Sequence, residues 1–265
     1  MPSNRMESRK KVINMQKYFV ILLGLALTFV WYQSIDAKED ETTILWYKFD
    51  VSFKNEIQDL SPYGNHGRIS GNVKFERDGK VGGAASFTVG NKITVPISDS
   101  LNVAQDLTIE FWVKPDKVPA ATYWRLIHKG WVQNGSYICG IDNNWMALGY
   151  TWDINNMAAV RKDANKPDAV IAETWQYYSA TYDGKNIILY IDGEPLVQTA
   201  ADGKINGAFD IIIAESFSGM LDEIRFSNVA LSQDEIKKHM EGKDIHAVKA
   251  EGKLTTTWAE VKSKR

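Results

Sequence analysis

The acidic residue Asp222 lies within residues 219–226, whose alternating side chains are typical of a β-strand. On a regular strand it shares one face with the apolar side chains of Met220, Ile224 and Phe226. A carboxylate on an apolar face is costly unless it is paired or ligates a cation. We therefore predict that Asp222 is a metal ligand. The alternatives are a partner Arg or backbone N–H group, or exposure to solvent on an edge strand.

Two further oxygen-bearing side chains, Asp59 and Asn65, lie in a turn-rich loop after the first predicted strand. Calcium takes hard oxygen ligands from carboxylates, amides, carbonyls and water. We expect these two residues and Asp222 to be side-chain ligands of a structural Ca2+ ion, with loop carbonyls completing the shell. Asp50 is a reserve candidate. The alternative is that Asp59 and Asn65 only form Asx-turns.

Aromatic residues are abundant, with nine Trp and eleven Tyr in the chain. Flat sugar faces stack on exposed aromatic rings, while neighbouring Asn and Asp side chains bind hydroxyl groups. Five aromatic residues fall in the middle of the sequence: Trp124, Trp131, Trp145, Tyr150 and Trp152. Loop-like sequence flanks Trp131 and follows Trp152, so these two are the predicted ligand-binding residues. The alternative for each ring is a place in the core.

Catalytic signatures are not found in the sequence. Glycoside hydrolysis needs two facing carboxylates, whereas the predicted strand Leu107–Pro115 offers only Glu110. Asp222 and Glu223 are adjacent and point to opposite faces of a regular strand. No nucleophile elbow, zinc-protease motif or phosphate loop is present. We predict that the chain is not an enzyme, and a diverged glycoside hydrolase is the less favoured alternative.

The elements that must position these residues are short strands separated by turns. Asp183-Gly184 is a predicted hairpin turn, because both residue types tolerate a positive φ. The predicted strands include residues 45–49, 92–95, 107–115, 175–182, 187–191, 211–213 and 219–226. Without alternating helices or internal repeats, this order predicts an all-β fold, a two-sheet antiparallel sandwich.

One short C-terminal helix completes the predicted domain, residues 38–242. Ser232 and Glu235 form a capping box at its start, and the helix ends near Glu241, with Gly242 as its stop. Residues 243–265 are rich in Lys and Thr and are predicted to form a tail.

Residues 1–37 form a predicted signal peptide or N-terminal anchor. Basic residues precede an uninterrupted apolar run at residues 18–32, which is shorter than the roughly 20 residues of a spanning helix. The protein is therefore expected to be secreted or held at the cell envelope, with membrane contact only through residues 18–32 if they are not removed. The net charge of −2 gives no basic face for nucleic acid.

The order of these segments resembles the laminin-G-like jelly roll, in the bacterial form of the concanavalin A-like lectin/glucanase superfamily. The resemblance covers about residues 43–240. It is carried by residues 46–50, 59–67, 82–87, 107–115, 175–184, 189–193, 219–225 and 231–236.

This resemblance implies two packed antiparallel sheets and a role in binding, often with a structural calcium ion. Jelly-roll closure can join the first and last strands, which would allow the Asp59–Asn65 loop to meet Asp222. The expected partner is carbohydrate, and the alternative is an extracellular or envelope protein bound by an adhesion or scaffold domain. The superfold hosts many functions, so the ligand does not follow from it.

Overall fold

Alternating apolar side chains and frequent turns produce sixteen strands and one helix in the described part of the chain. The computed structural model describes residues 41–51, 54–118, 124–130, 136–142, 147–153, 161–164, 169–201 and 203–242. All of them belong to one unit, Asp40–Arg265.

The elements follow one another along the chain, joined by tight turns and by several longer loops. In order they are β1 (Thr43–Tyr47), β2 (Glu56–Ile57), β3 (Gly67–Ser70), β4 (Lys74–Glu76), β5 (Ala84–Phe87), β6 (Lys92–Val95), β7 (Leu107–Pro115), β8 (Trp124–Lys129), β9 (Ser136–Asp142), β10 (Ala147–Asp153), β11 (Arg161–Ala164), β12 (Gln176–Tyr182), β13 (Asn186–Ile191), β14 (Glu194–Ala200), β15 (Ile211–Ile213), β16 (Gly219–Ser227) and α1 (Gln233–Met240).

The strands form two eight-stranded antiparallel sheets. Sheet A has the order β14-β13-β12-β7-β16-β5-β4, and β1 also pairs with β16. Sheet B has the order β11-β10-β9-β8-β15-β6-β3-β2. The predicted all-β class with two antiparallel sheets and one short helix is confirmed.

The core lies between the two sheets, and the central strands β7 and β12 are buried along nearly their whole length. Phe111 of β7 stacks on Tyr178 of β12, with ring centroids 4.6 Å apart. Ile93 and Ile213, paired across β6 and β15, belong to the same buried cluster from the side of sheet B. This burial removes large apolar side chains from water and is the main favourable contribution to folding.

A β-bulge interrupts the pairing of β16 with β7. Asp222 pairs with Trp112 and Arg225 pairs with Glu110, so three steps along β16 match two along β7. Within the bulge, Glu223 adopts a strained backbone conformation, with a φ of 50°. Bulges of this kind redirect the side chains that follow them.

The bulge changes which side chains of β16 face the core. Leu221, Ile224 and Phe226 are buried in the main cluster, whereas Met220 is only partly buried and lies outside it. The prediction that Asp222 shares the face of Ile224 and Phe226 is therefore wrong, because a one-residue shift reverses the alternation.

Helix α1 covers part of the outer face of sheet A. Ser232 is its N-cap, and the capping box with Glu235 is formed as predicted. Ile236 of α1 packs in a second apolar cluster with Trp112 and Tyr177 on the face of the sheet that points away from the core. The sheet is thus closed on both sides at this point.

The predicted signal peptide or anchor, residues 1–37 with the run 18–32, and the tail, residues 243–265, lie outside the described residues. Within the ranges given above, no helix is both long enough and apolar enough to cross a membrane.

Gly219 offers a test of how tightly β16 is held. Its φ is 146°, and an added Cβ would lie 2.4 Å from the Lys114 carbonyl oxygen. We expect Gly219→Ala to lower the free energy of unfolding by about 3 kcal/mol through backbone strain and overpacking. Gly90→Ala is the control, since Gly90 also has a positive φ but has open space around it. Denaturant unfolding should show a cost of only about 1 kcal/mol for the control, and equal costs would contradict the close packing.

Candidate functional site

Asp59 lies at the centre of a hydrogen-bonded loop beside β1. Its carboxylate accepts the backbone N–H groups of Trp46 at 2.8 Å, Ser61 at 2.9 Å and Asn65 at 2.7 Å. It also accepts the Ser61 hydroxyl at 2.6 Å. The contact to Ser61 N–H is an Asx-turn. The side chain therefore ties the loop to the edge of β1.

Asn65 connects the same loop to a second one. Its amide group donates to the Ile44 carbonyl at 2.6 Å and to Ser100 Oγ at 2.9 Å. Its side-chain oxygen accepts the Ser98 hydroxyl at 2.6 Å. Every polar atom of this buried amide has a partner, as buried polar groups require.

Asp222 has a separate set of partners. Its carboxylate accepts the backbone N–H groups of Lys80 at 3.0 Å, Val81 at 2.8 Å and Glu223 at 2.7 Å. Burial raises the pKa of Asp222 to about 7 even though these bonds oppose the shift. The residue therefore holds the loop before β5 against the bulge of β16, as in the alternative that pairs it with backbone N–H groups.

The structure brings Asp59 and Asn65 together, but none of the contacts it describes joins either of them to Asp222. Calcium requires six to eight oxygen ligands, whereas the oxygens of both carboxylates face N–H or O–H donors. No group of three His, Cys, Asp or Glu residues suited to a metal occurs among the described residues. The predicted ligand set does not fit a calcium shell, and the ion itself stays a prediction.

Asp50, the reserve ligand, lies beyond the end of β1. Its carboxylate accepts the backbone N–H of Gly83 at 3.0 Å. The φ of Gly82 is 69°, and an added Cβ there would lie 2.0 Å from the Asp50 carboxylate. Asp50 thus secures the same loop that Asp222 holds.

Of the two predicted sugar-binding residues, only Trp152 falls within a described strand. Trp131 lies outside the described residues, two positions after β8 ends at Lys129. Trp152 lies in β10, and only its backbone is described. Tyr137 of β9 pairs with both Lys129 and Trp152. Since adjacent strands lie about 4.8 Å apart, the described backbone at residues 129 and 152 is separated by about 10 Å.

A cluster of charged and polar side chains joins β8 to β6 and to the residues that follow β15. The Glu215 carboxylate lies 3.1 Å from Lys92 Nζ, 3.7 Å from Arg125 Nη2 and 3.5 Å from His128 Nε2. Burial lowers the pKa of His128, so its ring is neutral near pH 7. The cluster offers both donors and acceptors.

Glu110, the one acid on β7, is fully buried. Tyr177 donates its hydroxyl to the Glu110 carboxylate at 3.1 Å. The Nδ1 atom of His239, on α1, lies 2.7 Å from the other carboxylate oxygen. Helix α1 therefore covers Glu110 on the outer face of sheet A.

A further cluster on the outer face of sheet A is not apparent from the sequence. It consists of Trp46, Lys48, Glu223 and Arg225, and we call it the Trp46 patch. The Trp46 indole N–H donates to Glu223 at 2.7 Å across 177 positions of sequence. Pairing of β1 with β16 brings them together, and the positive φ of Glu223 places it there. The only local signal was the Trp-x-Lys and Glu-x-Arg spacing on the two strands.

A laminin-G family model, described as the concanavalin A-like lectin/glucanases superfamily, matches residues 87–237. The resemblance drawn from the sequence is confirmed by this match. No curated protein matches the chain.

Solved structures share the fold at low sequence identity. The botulinum neurotoxin serotype D binding domain has a TM-score of 0.63 and 19% identity over 78% of this chain and 52% of that one. The binding domain of botulinum neurotoxin DC in complex with rat synaptotagmin II has a TM-score of 0.60 and 16% identity over 77% of this chain and 52% of that one. The chain thus spans about half the length of these toxin domains.

One further solved structure matches this chain over nearly all of its own length. Domain 4 of AbnA, a GH43 extracellular arabinanase from Geobacillus stearothermophilus in complex with arabinotriose, has a TM-score of 0.56. The two sequences are 17% identical over 74% of this chain and 97% of that one. At such identities the likeness shows the fold, and these relatives by fold are binding domains.

Asp59→Asn tests whether the carboxylate organises its loop. The amide keeps the size of the side chain but replaces one acceptor oxygen with a donor that faces other donors. We expect the free energy of unfolding to fall by about 2–4 kcal/mol. Asp183→Asn is the matched control, because Asp183 accepts backbone N–H groups in an exposed turn. Chemical denaturation should show a loss below about 1 kcal/mol for the control, and similar losses for both would argue against the role of Asp59.

Proposed function

Because this chain belongs to the concanavalin A-like lectin/glucanases superfamily, we propose that it is an exported, non-catalytic module that binds carbohydrate. The observation that carries the proposal is the burial of Glu110 beneath α1 on a fold shared with binding domains. Glu110 is the only acid of β7, and because α1 covers it, this carboxylate cannot contact a glycosidic bond. Recognition without cleavage is the function that this arrangement supports best.

Carbohydrate is the favoured ligand for two reasons. The arabinanase domain that matches along 97% of its length was solved with arabinotriose. This chain is also rich in the aromatic residues on which sugars stack. Neither reason defines the sugar, so the ligand class is proposed and the individual glycan is to be found by screening.

The proposed binding edge is the end of sheet B at which β8 and β10 finish. Trp131 and Trp152 belong to this edge by sequence position and strand register. The separation of about 10 Å between the strand ends matches the span of about two sugar rings. A short oligosaccharide would therefore contact both.

Export rests on the N-terminal sequence. Basic residues precede the apolar run 18–32, as in a secretory signal or an N-terminal anchor. We therefore place the binding domain outside the cytoplasmic membrane, either secreted or held at the cell envelope.

A protein partner is the second candidate. The fold is shared with a toxin binding domain solved in complex with synaptotagmin. In that case the domain would be an adhesion or scaffold module, and soluble sugars would not compete with its partner.

The binding edge is tested by affinity electrophoresis in gels that contain polysaccharides. We expect at least one glycan to retard the protein, and Trp131→Ala or Trp152→Ala to weaken binding by about tenfold through loss of ring contact. Tyr63→Ala is the control, since Tyr63 is 41% exposed in the Asp59–Asn65 loop. Normal migration in every gel, combined with capture of an envelope protein, would favour the second candidate.

The non-catalytic assignment is tested by incubating the protein with the glycan that it binds. We expect no release of reducing ends. Glu110→Gln should lower thermal stability, because it disrupts the buried contact with His239, and should leave glycan affinity unchanged. If the native protein released reducing ends and Glu110→Gln did not, the protein would instead be a glycoside hydrolase that depends on Glu110.

A further inference from the structure

The Trp46 patch places two cations over one indole ring. The guanidinium carbon of Arg225 lies 4.1 Å from the ring centroid of Trp46, and Lys48 Nζ lies 4.5 Å from it. Each contact is within the range of a cation–π interaction. The indole is thus engaged by protein cations rather than presented to a sugar ring. A ligand here would be recognised by charge and hydrogen bonds instead of stacking.

Backbone strain surrounds the patch. Glu223 and Phe49 both adopt the left-handed region, with φ values of 50° and 63°. Such conformations are costly in non-glycine residues and are concentrated at functional positions. The bulge at Glu223 turns its carboxylate to the Trp46 indole N–H, so the bulge brings Glu223 into the patch.

Arg225 has unused hydrogen-bonding capacity. Within the described part of the chain, its guanidinium has the contact with Trp46 and no hydrogen-bond or ion-pair partner. A guanidinium group has five N–H donors in a planar fork. Arg225 and Lys48 are both partly exposed, so these donors are open to a ligand.

The patch itself carries two cations, Lys48 and Arg225, and one carboxylate, Glu223. Glu223 accepts the Trp46 indole N–H and lies 4.0 Å from Lys48 Nζ. Lys80 is exposed, with its Nζ 4.3 Å from the ring centroid of Trp112. Among the acids of neighbouring elements, Asp50 and Asp222 accept backbone N–H groups and Glu110 contacts His239 and Tyr177. Burial, and to a smaller extent the charge of Asp50, raise the pKa of Glu223.

We propose that the Trp46 patch is a second binding site, which takes the carboxylate group of an acidic glycan. The fork of Arg225 would bind the two carboxylate oxygens, and Lys48 would add positive charge beside it. The inference rests on the proposed carbohydrate function and defines a ligand class for it. It requires no contact with the edge that carries Trp131 and Trp152.

The experiment is calorimetric titration of the protein with a galacturonic acid oligosaccharide and with its methyl ester. The ester keeps the rings and hydroxyl groups but removes the charge. We expect the acid to bind at least about tenfold more tightly than the ester. Its affinity should also fall as salt is raised.

Arg225→Lys is the informative variant, because it keeps the positive charge and removes the planar fork. We expect it to weaken binding of the acid by about tenfold and to leave binding of the ester unchanged. Lys237→Gln is the control, since Lys237 pairs with Glu194 on the exposed side of α1. It should leave both affinities as they are, and circular dichroism should show both variants folded.

The outcomes separate this site from the proposed function. If the acid and the ester bind equally, or if Arg225→Lys has no effect, the second site is refuted while the module remains a glycan binder through Trp131 and Trp152. If neither form binds but a neutral glycan does, the second site is likewise refuted. Failure of every glycan refutes both proposals.

Discussion

The pairing of β16 with three other strands is the interaction on which the rest of the molecule depends. One edge of β16 pairs with β7, and its other edge is shared between β5 and β1. The last strand thereby joins the first strand of the domain to the centre of sheet A. Because adjacent strands lie about 4.8 Å apart, side chains far apart in sequence become neighbours along this seam. Trp46, Glu223 and Arg225 meet only there.

Buried polar groups in this domain mainly fasten loops to the two sheets. Asp59 and Asp222 each receive several N–H donors from loop backbone. On sheet B, Lys129 is a donor rather than an acceptor. Its Nζ donates to Asn102 Oδ1 at 3.0 Å and to the Ile205 carbonyl at 3.2 Å. Burial lowers the pKa of Lys129 to about 8. A domain without disulfides can hold long connections in this way, because leaving such groups unpaired would cost about 1–3 kcal/mol each.

The features predicted from the sequence are those encoded locally. The β7 strand occupies the predicted residues 107–115, and the capping box at Ser232 starts the helix where expected. The bulge at Glu223 was not predictable, because alternation in residues 219–226 suits a regular strand and only the pairing with β7 shows the extra residue. The assumption of a regular strand therefore predicted, wrongly, that Asp222 shares the face of Ile224 and Phe226. It also hid the Trp46 patch, whose members are joined by tertiary contacts alone.

The burial of Glu110 depends on one small element, helix α1. Glu110 lies on a central strand, yet His239 and Tyr177 occupy both of its oxygens and the side chain has no exposure. Exposing it would require α1 to leave the sheet, which would uncover Ile236 and the apolar cluster around Trp112. Burying a large apolar side chain contributes about 1.5–3 kcal/mol, so several such residues hold the helix in place. The closed state is therefore the stable one, and the ligand contacts proposed above lie elsewhere, at the strand ends and at the surface beside the bulge.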